Sequence, residues 1–349
     1  MSGTGLASDG GPGGLTGRAV WFTGPRQVEV RAEPVGLPGP GEVLIEGLYS
    51  LVSAGTEMLI YRGETDAAWD LGHPLAVGSF GFPVKYAYQT VGRVVEAGAH
   101  TDYRTGDIVF ARHPHQTLFA VPADPPWLVK LPDDVHLESA TFLNLMEVAL
   151  NGLLDVPVRV GDVVVVYGQG IVGSFCGQLA KRSAGVVVVV DPIEERRAFA
   201  SRWGADAAVH PAEAKETLLD RSEGRGADIA FEASGAPGAL QSAIEVVGLD
   251  GTVGVLSMYG TREVRLRLTP EFHFGRTRIV SSQAGHLGGG VQARWDMTRR
   301  GRTAARLIGQ LDVKSMITHV IDIEDAPAAY ALVDQHPKST LGVVLAHHR

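Results

Sequence analysis

Apolar residues along this chain follow two successive rhythms. From Arg18 to about Val121 they come as short β-rich runs, Ala19–Phe22, Val28–Ala32, Val43–Ser50 and Gly92–Ala97. Turn signals separate them: Gly24-Pro25, Pro38-Gly39-Pro40-Gly41, Gly98 and Gly106-Asp107. Short strands punctuated by glycine and proline predict a barrel-like antiparallel unit. From about Asp162 the rhythm changes. Val163–Tyr167 reads as a continuous apolar strand, Ile171 to Ala184 as an apolar helix, and Val186–Val190 as five valines running into Asp191. Further strands are predicted at Ala207–His210, Asp228–Phe231, Thr252–Leu256 and Arg278–Ser282, with helical stretches between them. Apolar strands alternating with helices predict a doubly wound parallel sheet covered on both faces. Beyond about His286 a helix near Thr303–Gln310, a strand Ile317–Ile323, a helix Ala326–Asp334 and a strand Gly342–Ala346 are expected.

Composition narrows what such a chain does. Its 349 residues suggest about two domains. With 31 Lys and Arg against 39 Asp and Glu, the net charge is −8, the opposite of a nucleic-acid-binding footprint. Nothing is polybasic enough to seek anionic lipid, and no apolar run approaches the roughly 18 residues of a membrane span. The one cysteine, Cys176, excludes an internal disulfide and any zinc site made of several thiolates; it reads as a small buried apolar residue. Met1 to Gly17 holds seven glycines and no basic residue. This stretch is expected to be a disordered tail. With no export signal and no disulfide, the expected compartment is the cytoplasm.

Gly168-Gln169-Gly170-Ile171-Val172-Gly173 is a G-x-G-x-x-G set between an apolar strand and a helix. The first glycine permits a tight turn, the second lets backbone approach a pyrophosphate, and the third lets helix and strand pack closely. The diphosphate would rest on free N–H groups of the helix N-terminus. Asp191, 23 residues after Gly168, closes the next strand. A carboxylate there accepts hydrogen bonds from ribose hydroxyls and repels a 2′-phosphate, so NAD(H) is expected ahead of NADP(H). Arg196 and Arg197 lie downstream, either placed to bind a 2′-phosphate, which would bring Arg196 into the cofactor site and keep NADP(H) open, or as the solvated face of a helix.

With these landmarks in order, the chain from Arg18 to about Ala346 resembles the medium-chain dehydrogenase/reductase superfamily, the alcohol dehydrogenase-like proteins. The opening Ala19-Val20-Trp21-Phe22-Thr23-Gly24-Pro25, then Pro38-Gly39-Pro40-Gly41-Glu42-Val43-Leu44-Ile45, Gly92 to Gly98 and Gly106-Asp107-Ile108-Val109 carry the likeness. Phe231-Glu232-Ala233-Ser234-Gly235 resembles the segment bordering the nicotinamide ribose, which brings Ser234 and Gly235 into the cofactor site. The resemblance implies an α/β protein. A GroES-like β-barrel catalytic domain (18–144 and 286–349) would be split around a Rossmann doubly wound parallel-sheet domain (145–285), with residues 1–17 as a tail. It also implies a small-molecule substrate and a homodimer through the edge strand Arg278–Ser282.

The departures from the family pattern concern the metal. Zinc-dependent members carry Cys-Gly-Thr-Asp where this chain has Ala54-Gly55-Thr56-Glu57. Their Gly-His-Glu becomes Ala87-Tyr88-Gln89, and a third ligand falls near Asn144. The four-cysteine zinc lobe is missing between Val109 and Val121. Alanine, tyrosine and amides do not make a zinc site. The chain therefore resembles a zinc-free branch that includes bacteriochlorophyllide-type dehydrogenases and enzymes of natural-product pathways. Without a Lewis acid, hydrogen-bond donors must stabilise the oxyanion formed on hydride transfer. The candidates are Thr56, Tyr88, Gln89, Asn144 and Glu147. Each has a plainer reading: Tyr88 filling the space of the ion, Thr56 as a satisfied core hydroxyl, Asn144 and Glu147 serving a helix. Three functions stay open: an NAD-dependent secondary alcohol/ketone oxidoreductase, a conjugate (enone) reductase or reductive cyclase, and a cofactor binder without activity. His113 and His115, two apart, mimic a ligand pair on one strand face. Tyr61-Arg62-Gly63 reads as a surface loop and His347-His348 as a tail. Asp66–Pro83, with Trp69 and Phe80, reads as a lid or pocket lining.

Overall fold

The computed structural model describes residues 14–69, 77–132 and 134–347. Strands β1 (Leu15–Gly24) and β2 (Gln27–Val35) pair antiparallel as a separate ribbon. Strands β3 (Glu42–Leu51), β4 (Thr90–Ala97), β5 (Ile108–Ala111), β6 (Leu118–Pro122) and β7 (Leu128–Lys130) follow. Their main path runs β3-β4-β5-β7 antiparallel, with β6 on β3. The chain's last strands, β14 (Ile317–Asp322) and β15 (Gly342–Ala346), return to this sheet, β15 pairing antiparallel with β3. Helix α1 (Thr56–Arg62) lies between β3 and β4; α2 (Leu137–Ala140) and α3 (Leu143–Asp155) lead away from β7.

The second sheet is parallel throughout. Strands β8 (Val163–Tyr167), β9 (Val186–Val190), β10 (Ala207–Val209), β11 (Ala227–Glu232), β12 (Val247–Val255) and β13 (Arg278–Ser281) stand in the order β10-β9-β8-β11-β12-β13. Helices α4 (Ile171–Ala180), α5 (Glu194–Arg202), α6 (Ala214–Arg221), α7 (Pro237–Val246) and α8 (Glu271–Phe274) alternate with them. Helices α9 (Met297–Ile308) and α10 (Ala326–Gln335) come after β13. The valine runs of β8 and β9 are buried on both faces, as a sheet covered by helices on each side requires. The order of neighbours reverses at β8 and β11. Ligands of such sheets bind beyond the carboxyl ends of the strands at that crevice; the glycine loop follows β8 and the Ala233–Ala236 turn follows β11.

Several expectations need correction. The glycine-rich start was read as a tail through Gly17, but Leu15–Gly17 are already β-strand, paired with Val35–Glu33. Gly17 serves packing: a Cβ there would meet the Leu118 carbonyl oxygen at 2.5 Å. Residues 1–13 of that tail lie outside the described residues. Tyr61 is buried and Arg62 Nε donates to Asp334 Oδ1 at 2.6 Å, so this segment is helix and core rather than surface loop. In the Asp66–Pro83 stretch, Phe80 packs with Met58, Tyr61 and Tyr86, while residues 70–76 lie outside the described residues. Cys176 is buried on α4, and burial pushes its thiol well up.

Candidate active site

The glycine loop is built for close approach. Gly168 takes φ +88°, and a Cβ on it would lie 2.7 Å from the Ser234 Cα, so the loops after β8 and β11 abut. A Cβ on Gly173 would fall 1.8 Å from the Gly168 carbonyl oxygen, whereas one on Gly170 would meet nothing within 4 Å. Gly170 is the N-cap of α4 and no side chain caps that helix. The first N–H groups of α4, from Ile171, Val172 and Gly173, thus face an open space that suits an anionic group. Gln169 is buried and folds its Nε2 onto the Gly168 carbonyl at 3.0 Å.

Asp191 ties the loop to the next strand. Its Oδ2 accepts from Gln169 N–H at 2.7 Å and its Oδ1 from Ile193 N–H at 2.8 Å. Arg196 Nη1 stands 3.9 Å from Asp191 Oδ2, and its Nη2 donates to the Pro337 carbonyl at 3.1 Å. Burial lowers the Arg196 pKa and the Asp191 charge opposes that. Arg196 is part-buried and spans from Asp191 to the segment before β15. Arg197 sits on the carbonyls of Asp191 and Pro192.

Across the crevice, Glu232 organises the β11 turn, a role that sequence reading missed. Its Oε1 accepts from Ser234 N–H at 2.8 Å, Ser234 Oγ at 2.5 Å and Gly235 N–H at 3.0 Å; its Oε2 accepts from Tyr259 Oη at 2.7 Å. The only signal was a carboxylate at the end of an apolar strand, inside a segment already quoted.

The five candidate catalytic residues divide. Tyr88 Oη and Ser53 Oγ lie 2.9 Å apart, and Thr56 also hydrogen-bonds the phenol. Ala54 and Gly55 are exposed, and Thr56 and Tyr88 keep part of their surface accessible. Burial, and then the negative charge of Glu57, push the Tyr88 ionisation up to about 12, against the hydrogen bonds from Ser53 and Thr56. Gln89 is fully buried and its Nε2 donates to the Leu51 carbonyl at 3.2 Å, a strand-end contact. Asn144 Oδ1 accepts from Arg112 Nε at 3.0 Å, and Glu147 pairs with Arg112 Nη2. These two serve a buried arginine on the side of α3 instead of joining Tyr88, because an unpaired guanidinium below the surface would be costly.

Glu57, quoted in the motif but given no role, is the centre of a second buried group. Its Oε2 accepts from Tyr330 Oη at 2.6 Å and lies 3.1 Å from His115 Nε2. His115 Nδ1 is 2.7 Å from Ser50 Oγ, which is 2.8 Å from His347 Nε2. His347 is thus a built-in part of the fold and not a tail; His348 lies outside the described residues. His113 stacks on Phe119 with centroids 3.9 Å apart and binds the Pro114 carbonyl. The two histidines lie on a loop, have separate partners and form no ligand pair.

Comparison with known proteins fits this layout. Residues 172–298 match the family model described as Zinc-binding dehydrogenase. Over 323 residues the chain is 31% identical to D-guloside 3-dehydrogenase of Shigella flexneri, covering 86% of this chain and 91% of the relative. The fold is shared with an oxidoreductase/dehydrogenase of unknown specificity from Escherichia coli (TM-score 0.80, 19% identity, 95% and 99% of the two chains). It is shared likewise with an alcohol dehydrogenase from Thermus sp. ATN1 (TM-score 0.78, 21% identity, 95% and 100%). The chain belongs to the medium-chain dehydrogenase/reductase, alcohol dehydrogenase-like superfamily. It is an NAD(P)-dependent oxidoreductase with the mixed α/β architecture of that family. Among the described residues, no helix is long and apolar enough to cross a membrane.

Proposed function

We propose that this enzyme interconverts a secondary alcohol and a ketone with NAD(H), without zinc, using Tyr88 as the proton donor and acceptor. The observation that carries this reading is the Ser53–Thr56–Tyr88 hydrogen-bonded cluster, in which Thr56 and Tyr88 keep part of their surface exposed while Ser53 is buried. By the resemblance of the Ala54-Gly55-Thr56-Glu57 and Ala87-Tyr88-Gln89 segments to the ligand segments of zinc-dependent members, it falls at the position of their ion, beside an Ala54 that offers no ligand. The donor set there, a methyl, a phenol and amides, does not fit a zinc ion, and no step is drawn through one. The group that does fit is a dinucleotide. Backbone N–H groups of residues 170–173 would hold its diphosphate, Asp191 its ribose hydroxyls, and the Ser234-Gly235 turn would border the nicotinamide side. When bound, the nicotinamide supplies or accepts hydride. Tyr88, kept neutral, gives its phenolic proton to the developing alkoxide, and Thr56 and Ser53 hold the hydroxyl in place.

Asp191 supports NAD over NADP because its carboxylate would face a 2′-phosphate with like charge. The strand placement supports residues 145–285 as the cofactor unit and 18–144 with 286–349 as the catalytic unit. Strand β13 ends the parallel sheet, with Ile279 38% exposed. An open edge of that kind calls for cover, which supports a homodimer through it; a light-scattering mass equal to one chain would remove that part of the proposal.

Because one relative is named for oxidising a guloside, ring secondary alcohols are the first substrates to assay. Turnover with NAD is expected to survive dialysis against a zinc chelator. Asp191→Ala is expected to raise the KM for NAD about tenfold and to narrow its advantage over NADP. Activity restored only by added zinc would overturn the metal-free reading. NADH consumption confined to α,β-unsaturated carbonyls would replace the carbinol reaction by conjugate reduction.

A further inference from the structure

Where α9 lies beside β7, the surface holds a groove of about 700 Å³ lined by no residue of the glycine loop and by neither Thr56 nor Tyr88. Its walls carry Lys130 at the end of β7 and Arg299, Arg302 and Arg306 from α9. Positions 299, 302 and 306 follow the spacing that stacks side chains on one helix face. Four cations around one concavity run against a chain of net charge −8. Among the described residues, two carboxylates near the groove have partners of their own. Asp296 Oδ1 caps α9 by accepting from Arg299 N–H at 2.6 Å, and Asp107 accepts from Lys130 Nζ at 2.7 Å. The Arg299 guanidinium lies over the Trp295 ring and reaches the Arg294 carbonyl. Among the described residues, the guanidinium groups of Arg302 and Arg306 have neither an ion pair nor a hydrogen bond, and the Arg302 charge acts on Tyr103.

The groove continues inward to a cavity of about 160 Å³ that shares Lys130, Thr298 and Arg302 and is lined at depth by Arg112 and Glu147. Arg112 is 8% exposed, yet its Nη1 is buried without a hydrogen-bond partner, and so is Glu147 Oε1. Their ion pair uses Nη2 and Oε2. Among the described residues, one donor and one acceptor of this pair are therefore buried without partners in residues that line the cavity beneath the cations. Buried polar atoms without partners are uncommon in folded proteins.

The geometry points to a binding site for a small hydroxylated polyanion, a phosphorylated or carboxylated polyol, separate from the cofactor and substrate sites. Its charged groups sit among Lys130, Arg302 and Arg306, since guanidinium forks match phosphate and carboxylate oxygens two at a time. A hydroxyl on the same molecule reaches inward, accepting from Arg112 Nη1 and donating to Glu147 Oε1. An anion without a hydroxyl would leave the carboxylate oxygen unanswered.

Isothermal titration at constant ionic strength tests this, with saturating nucleotide present so that the glycine loop is filled. Citrate and glycerol 2-phosphate serve as probes, one carboxylate and one phosphate, each bearing hydroxyl. At least one is expected to bind saturably to the intact enzyme; the tighter of the two names the anion chemistry. The double variant Arg302→Gln, Arg306→Gln is expected to weaken that binding at least tenfold. It should keep the melting temperature and the basal turnover, because neither residue touches the reaction. Arg276→Gln, a paired surface arginine, should bind as the parent does. If neither probe binds saturably, or if the double variant binds with unchanged affinity, the site does not exist.

Discussion

Tyr88→Phe is expected to reduce kcat roughly 10²- to 10³-fold while leaving the melting temperature and cofactor affinity close to those of the parent. That is the range of a positioned acid–base group, and the substitution removes one oxygen without altering the ring that packs with Tyr86. The pH dependence separates chemistry from packing. Burial and the Glu57 charge hold the phenol neutral up to about pH 12. Ketone reduction, which needs the protonated phenol, should therefore show no loss assignable to Tyr88 through the working range. Alcohol oxidation, which needs its proton accepted, should gain from rising pH. Removing the Glu57 charge by Glu57→Gln takes away one of the causes that raise this ionisation. The gain of the oxidation reaction should then begin at lower pH. Unchanged turnover in Tyr88→Phe would reduce Tyr88 to a filler of the space beside Ala54.

Gly173→Ala is expected to abolish measurable dinucleotide binding and to lower the melting temperature by several degrees. The new methyl would lie 1.8 Å from the Gly168 carbonyl oxygen, a backbone atom that cannot swing away. Relief requires α4 to move off β8, which deforms the turn that presents the free N–H groups. Gly170→Ala makes the informative contrast. Its methyl meets nothing within 4 Å in the protein, so the fold should melt as the parent does. The same methyl would occupy the space proposed for the diphosphate, and cofactor affinity should fall at least tenfold. Equal stability and equal cofactor affinity in both variants would show that the loop does not carry the nucleotide. Calorimetry and nucleotide titration, run on both proteins, read the two quantities separately.

Much of the fold was legible because its causes are local. Val163–Tyr167 and Val186–Val190 are apolar on both faces and bounded by charge or glycine, and both lie in the parallel sheet where such runs belong. The geometry of the 168–173 glycine loop was legible for the same reason, since turn, close approach and helix start are demands on neighbouring residues. Composition misled where it stood in for contacts. At Leu15–Gly17 the glycine-rich composition suggested disorder, yet these residues are strand and Gly17 is small because Leu118, about a hundred residues on, presses against it.

The catalytic candidates show the same boundary between near and far. Sequence alone determined the order of the strands and helices, the G-x-G-x-x-G turn with Asp191 at the end of the next strand, and the residue types at Ala54, Tyr88, Gln89 and Asn144 on which the zinc-free proposal rests. Each of these depends on residue type at a position or on short spacing. Only the tertiary structure decided which polar groups meet. It joined Tyr88 to Ser53 and Thr56, gave Asn144 and Glu147 to Arg112, and made His347 and Tyr330 partners of a network around Glu57. A buried charge or hydroxyl must find a partner wherever the fold brings one within about 3 Å. That partner can lie 273 residues away, as Tyr330 does from Glu57, and no local pattern records it.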